Sequence, residues 1–268
     1  MHDQDIDYRS EAVTLRGHLA FDETAGDPRP GVLVFHEGLG LGDFAIARAR
    51  KLAELGYVAF AADMFGDRRQ AHSLQEATHL VGGLRNDPQT LRARARAALV
   101  TLAALPQVDT SRLGAIGFCF GGSVALELAR DGADLAAVVS FHGVLTNQMP
   151  AVRGKLTARV LVCTGADDPL APPEHIRAFE EEMRSAGVQD WQVVSYGNTL
   201  HGLPIRRRMV RSCAPRSTTR RPTAAPGHRC AACLRRPFIP DGSGLNIAKA
   251  VIGVTSLRAN GSARSAAR

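Results

Sequence analysis

The chain lacks any uninterrupted apolar run of about 18 residues, the length a membrane-crossing helix needs. Its first residues, Met1-His2-Asp3-Gln4-Asp5-Ile6-Asp7-Tyr8, are acidic and polar where a secretory leader is basic and then apolar. These absences argue against a membrane partner and make the cytoplasm the expected compartment. Aromatic residues are scarce, 5% with a single Trp, so no groove of alternating cations and stacking rings is written into the sequence. Cysteines number five, at positions 119, 163, 213, 230 and 233, and an odd count in a chain of this length argues against a disulfide framework. Acidic residues all but vanish after position 205, where thirteen Arg and one Lys face the single acid Asp241. That tail carries +13, so the first 205 residues carry −6 of the net +7. An acidic body with a basic appendage is not a nucleic-acid groove, and no nucleic-acid partner is expected.

What is present suffices for one large core: 268 residues, 45% of them hydrophobic. Residues 11–21 alternate loosely and predict an early strand, closed by a polar turn at 22–26. Val32-Leu33-Val34-Phe35 is the unbroken apolar run of a strand covered on both faces. It leads into a glycine-rich loop at 36–42, then a helix from an N-cap at Asp43 to a stop at Gly56. The periodicity goes on to predict a strand at 57–64 and helices at 71–85 and 89–105, divided by Asn86-Asp87-Pro88. A strand at 113–118, a helix at 121–130 and strands at 135–141 and 160–163 follow. A helix from Pro172 to Gly187 and a strand at 191–196 close the series. This rhythm predicts a doubly wound, mostly parallel α/β sheet with helices on both faces, whose ligands bind beyond the carboxyl ends of the strands.

Near position 119 a buried-strand pattern turns within two residues into a helix pattern. Gly117-Phe118-Cys119-Phe120-Gly121 has the form Gly-x-nucleophile-x-Gly. The glycines remove side chains that collide when a strand reverses sharply into a helix, and the middle residue is pushed outward in a strained conformation. Its thiol then lies beside the first free N–H groups of the following helix, whose positive end favours a thiolate. Most free cysteines are small buried hydrophobes. The glycine frame, extended by Gly122, reverses that reading and makes Cys119 a nucleophile.

Other chemically able residues also follow strands: Glu37 after 32–35, Asp168 after 160–163 and His201 after 191–196. Nucleophile, acid and histidine in that chain order is the order of an α/β-hydrolase triad. In it His201 exchanges a proton with Cys119, while Asp168 holds the imidazole tautomer and stabilises its cation. Gly165-Ala166-Asp167-Asp168 offers two acids; the Gly-x-x-Asp spacing favours Asp168 and leaves Asp167 solvated. Singly, each residue has an ordinary explanation. An acid after a strand often caps a helix, as Glu37 does on that reading, and a lone His is more often packed or exposed. The conjunction points to chemistry.

These residues resemble the dienelactone hydrolase family, carboxymethylenebutenolidase-like α/β-hydrolases, over roughly residues 10–204. The likeness lies in Gly117-Phe118-Cys119-Phe120-Gly121-Gly122, in Glu37, in Gly165-x-x-Asp168 and in His201-Gly202. It implies Cys119 as nucleophile, His201 as base and Asp168 as its orienting acid. It implies Glu37 as the glutamate that contacts the resting thiol and helps deprotonate it. The backbone N–H groups of Gly38 and Phe120 become the oxyanion donors. The implied reaction is hydrolysis of a small-molecule ester or enol-lactone through a thioester acyl-enzyme, with no metal or organic cofactor. A thiolate is itself a good leaving group, so activated esters and lactones suit it better than amides.

Two departures stand beside the likeness. Family members that bind a dienelactone carboxylate use arginines, one of them four residues after the catalytic histidine; here that position is Ile205, followed by Arg206. Arg85, Arg92 and Arg94 lie in the helical region without a matching motif. The second departure is the tail. Residues 206–240 hold no acid and no helical period where a closing amphipathic helix belongs. The expected organisation is a hydrolase domain at 1–205 and a basic, irregular tail at 206–268. That tail has the composition of a shifted reading frame, since Arg, Pro and Ala codons are rich in G and C. Translating the other two frames past codon 205 tests this: an acidic amphipathic helix is expected in one, and its absence from both refutes it. Cys230 and Cys233 with His228 lack a second ligand pair, so no zinc site is expected. Residues 245–257 are mildly apolar, a short helix or disordered. Two functional readings result: a cysteine-dependent hydrolase, or a non-catalytic remnant whose altered C terminus impairs folding or displaces His201.

Overall fold

The unbroken apolar runs form the middle of one sheet. In the computed structural model β3 (Arg29–Phe35), β4 (Val58–Ala62), β5 (Val108–Phe118), β6 (Ala137–Phe141), β7 (Arg159–Gly165) and β8 (Trp191–Tyr196) all pair in parallel. β1 (His2–Ser10) and β2 (Val13–Phe21) add an antiparallel hairpin at the opposite edge from β8, so the order is β1-β2-β4-β3-β5-β6-β7-β8. The structure describes residues 1–202 except 25 and 27. The expected tail at 206–268, with Arg206, Cys213, the Cys230 and Cys233 pair and the 245–257 segment, lies outside the described residues, as does Ile205.

Side chains alternate across the strands as the pleat requires. Val32 and Val34 enter one core, Leu33 and Phe35 the other. α1 (Asp43–Ala53) covers the first face with Ile46, Ala49 and Leu52. The second is covered by α2 (Leu74–Asn86), α3 (Pro88–Ala103), α4 (Phe120–Arg130) and α5 (Pro173–Ser185), through Leu84, Leu102, Leu128 and Met183 among others. No helix among the described residues is long and apolar enough to cross a membrane.

Caps explain the helix boundaries. Ser73 accepts from the Glu76 N–H at 3.1 Å to start α2, and Asp87 accepts from the Thr90 N–H at 3.1 Å to start α3, with Pro88 in the first turn. At α1 the cap is Gly42 rather than Asp43; the carboxylate instead lies in the first turn, against the positive end of the helix. β1 is the element that the apolar pattern does not announce. It is an edge strand with mostly exposed residues, so little of it needs to be apolar.

Candidate active site

The parallel strands all end on the same side of the sheet, and the candidate residues gather there. Cys119 is the residue between β5 and α4, at φ 53° and ψ −117°, the left-handed strain expected at such a corner. The turn demands glycine on both sides. A Cβ on Gly117 would collide with the carbonyl of Gly121, and one on Gly121 with the carbonyl of Phe35. The Cys119 N–H donates to the Phe141 carbonyl at 2.9 Å, which ties the corner to the end of β6.

Asp168 and His201 reach the corner from two loops that are laced together. Ala166 N–H donates to the Tyr196 carbonyl at 2.9 Å, and Asp167 N–H to that of Thr199 at 3.0 Å. Gly165 passes so close to Thr199 that a side chain there would strike its carbonyl. Asp168 is 2% exposed, whereas Asp167 is exposed. One oxygen of Asp168 accepts from Leu170 N–H at 2.9 Å and the other lies 2.8 Å from His201 Nδ1. His201 Nε2 lies 3.2 Å from Cys119 Sγ. The hydrogen bond to the thiol sulfur, reinforced by Asp168 against the opposing effect of burial, lifts the His201 pKa to about 9.

Glu37 is not brought to the thiol by a hydrogen bond. Its Oε2 is sealed from solvent without a hydrogen-bond partner, and burial raises its pKa, opposed first by its own backbone N–H and then by the charge of Arg48. The resting thiol is paired with His201 instead. The loop that carries Glu37 and Gly38 is held by His36, whose Nδ1 lies 2.6 Å from the Glu37 carbonyl and whose Nε2 accepts from Met64 N–H at 3.2 Å. Those two bonds define the proton as sitting on Nδ1, and burial keeps the ring neutral by lowering its pKa.

Two of the three helical arginines are committed elsewhere. Arg92 is bound to Glu127 at 2.7 Å, and Arg94 donates to the Met64 carbonyl at 2.6 Å. Arg85 is half-buried and lines a cavity of about 260 Å³ with Asn147, Gln148 and Glu127.

One residue beside Cys119 and His201 is not picked out by the sequence. His142 follows β6 at φ 42°, and its ring stands edge-on to His201, centroids 5.0 Å apart and planes at 89°. The strand-end rule that selects Glu37, Cys119, Asp168 and His201 applies equally to His142, but no neighbouring motif singles it out. Burial, and then the charge of His201, push its pKa down to about 4.

The sequence profile of the dienelactone hydrolase family matches residues 15–220. A solved structure named m3DLH is 48% identical, with a TM-score of 0.72, covering 75% of this chain and 83% of that one. A dienelactone hydrolase-like promiscuous phosphotriesterase from metagenomic libraries is 46% identical, with a TM-score of 0.72 and the same coverage of 75% and 83%. A Yersinia pestis protein, provisionally named a carboxymethylenebutenolidase, is 27% identical over 72% of this chain and 75% of its own length. With most of its length matched by the profile and its sheet and helices in the same arrangement, the chain belongs to the dienelactone hydrolase family and has the α/β-hydrolase fold.

Proposed function

We propose that this protein is a cysteine-dependent hydrolase of activated esters or enol-lactones, working through a thioester acyl-enzyme. The observation that carries the reading is the line from Asp168 through His201 to Cys119, at 2.8 and 3.2 Å. As Sγ attacks the carbonyl carbon, the thiol proton resides on His201 Nε2, and Asp168 stabilises the resulting imidazolium. Phe120 is the first residue of α4, so no carbonyl within the helix takes its N–H; that amide and the Gly38 amide receive the oxyanion. Collapse breaks the bond to the leaving oxygen, which takes the proton from His201. Water, losing a proton to His201, then attacks the thioester and releases the acid and the thiol.

The test is turnover of an aryl ester together with mass detection of an acyl adduct on Cys119. Cys119→Ala and iodoacetamide are each expected to abolish turnover, and hydrolysis that persists in Cys119→Ala overturns the reading. A cooperatively folded chain that is inert on every ester and forms no adduct supports the remnant instead.

The likeness to a promiscuous phosphotriesterase supports a second substrate for the same thiol. Attack on the phosphorus of a dialkyl aryl phosphate displaces the aryl oxide, and water then cleaves the S–P bond. Release of the phenol from such a triester, lost in Cys119→Ala, is the expected result.

A further inference from the structure

His142 is held at the mouth of the site at some expense. A non-glycine residue at φ 42° is strained, and the strain is fixed by its N–H donating to the Cys163 carbonyl at 2.7 Å. Its neighbour Gly143 leaves no room for relaxation, since a Cβ there would press on Ser140 Oγ and on the Gly122 backbone. The ring packs between His201 and Phe118, with centroids 5.0 and 6.4 Å away. Of the two ring nitrogens only Nδ1 is both sealed and unpartnered among the described residues. A sealed N–H without an acceptor costs more than a sealed lone pair, so the tautomer with the proton on Nε2 is favoured. Burial and the charge of His201 keep this ring neutral above about pH 4, so it does not compete with His201 for the proton.

We infer that His142 is a substrate-contacting residue: its Nε2–H donates a hydrogen bond to the leaving oxygen of the ester or lactone. The inference rests on the acyl-transfer reading above. His201 Nε2 delivers a proton to the leaving oxygen, so that oxygen departs on the His201 side of the tetrahedral carbon, where His142 stands. No proton is transferred from His142. Its hydrogen bond strengthens as charge builds on the departing oxygen and the C–O bond breaks, while the C–S bond of the thioester stays. Such a donor matters most for poor leaving groups, whose oxygens carry the most basic charge, and least for nitrophenolate.

The test is the dependence of kcat/KM on leaving-group acidity over acetate esters from p-nitrophenyl to phenyl, in wild type, His142→Phe and His142→Gln. His142→Phe keeps a ring against His201 without a donor. It is expected to lose about tenfold on phenyl acetate and little on p-nitrophenyl acetate, the scale of one neutral hydrogen bond. His142→Gln, which retains an N–H, is expected to restore most of the loss. The ratio between two esters within one variant does not depend on how much of that variant is folded. Alkylation of Cys119 by iodoacetamide should keep its pH profile in both variants. An equal loss on all esters, no loss at all, or a displaced alkylation profile overturns the inference, the last by making His142 only a support for His201. If Cys119→Ala hydrolyses the esters as the wild type does, the acyl-transfer reading itself falls and this inference falls with it. If Cys119→Ala is inert while His142→Phe shows no leaving-group dependence beyond wild type, only the inference falls.

Discussion

Asp168 spends one oxygen on the Leu170 amide and the other on His201 Nδ1, so its position and its charge are both committed. Asp168→Asn keeps the shape but loses the charge that stabilises the imidazolium. In the proposed mechanism kcat on an aryl ester is expected to fall roughly 10³- to 10⁴-fold with KM little changed, and a fall of less than tenfold in steady-state assays contradicts the assigned role. Glu37 has the opposite character, a half-buried carboxyl one of whose oxygens is sealed without a hydrogen-bond partner. Its raised pKa means that the folded state binds a proton more tightly than the unfolded state. Stability is therefore lost as pH rises past the ordinary glutamate value of 4.5. Glu37→Gln removes that loss, so its melting temperature is expected to exceed wild type by a margin that widens above pH 4.5, measured by thermal unfolding. Since the thiol pairs with His201, the same variant is expected to change aryl-ester hydrolysis by no more than about threefold. The positions of Cys119, Asp168 and His201 were legible because their local text is distinctive: glycines that the turn requires, and a Gly-x-x-Asp whose second acid faces inward. That Glu37 Oε2 lacks a hydrogen-bond partner was not legible, because only side-chain geometry decides it.

The helix α4 does more than follow Cys119. Glu127, on its buried side, accepts from Arg92 of α3 at 2.7 Å and from Arg130 of α4 at 2.9 Å, and Arg130 in turn donates to Glu182 of α5 at 2.8 Å. Arg130 is 2% exposed. Four charges thus join three helices beneath the sheet, with Glu127 shared between the two arginines. Glu127→Ala leaves the Arg92 and Arg130 guanidinium groups short of an acceptor and is expected to cost about 3–5 kcal/mol, read from urea unfolding. Gly121→Ala acts on the same element from its other end, by forcing a side chain against the Phe35 carbonyl. A cost of roughly 3 kcal/mol is expected from such overpacking, together with loss of the elbow geometry and of Cys119 alkylation. Elements of this kind are read from sequence with unequal success. α2 and α3 start where Ser73 and Asp87 supply the caps, and β3 to β7 have continuous apolar runs. The role of Arg92 was hidden because its partner lies 35 residues further on, and a cation in a helix near a candidate site looks the same whether it awaits a substrate or a glutamate. β1 was hidden for the reason given by its place at the edge, where solvent excuses polar side chains.

Over the whole molecule the two facing histidines bend the stability curve in opposite directions. His142, with its pKa pushed down to about 4, stays neutral in the folded state while the unfolded histidine protonates near 6.5. Between those values the unfolded state binds more protons, so stability rises with pH. His201, with its pKa raised to about 9, holds its proton where the unfolded chain has lost it. Its contribution is complete below about 6.5 and is lost as pH rises toward 9. Together they place a maximum near pH 6.5, with slopes no steeper than about 1.4 kcal/mol per pH unit for one proton each. Glu37 adds to the decline above 4.5, and surface carboxylates lowered by their arginines, such as Asp3 beside Arg50, add to the rise at acid pH. Those contributions cancel when a variant curve is subtracted from the wild-type curve. Urea unfolding from pH 4 to 9 is therefore expected to give a His201→Gln difference that shrinks from 6.5 toward pH 9, with a further change between 4 and 6.5 because His142 loses the opposing charge of His201. The His142→Phe difference is expected to change only between 4 and 6.5. The upper window decides the assignment: a His201→Gln difference that is flat across pH 6.5 to 9 means that the imidazole is not held charged, and removes the electrostatic basis for pairing it with the Cys119 thiol.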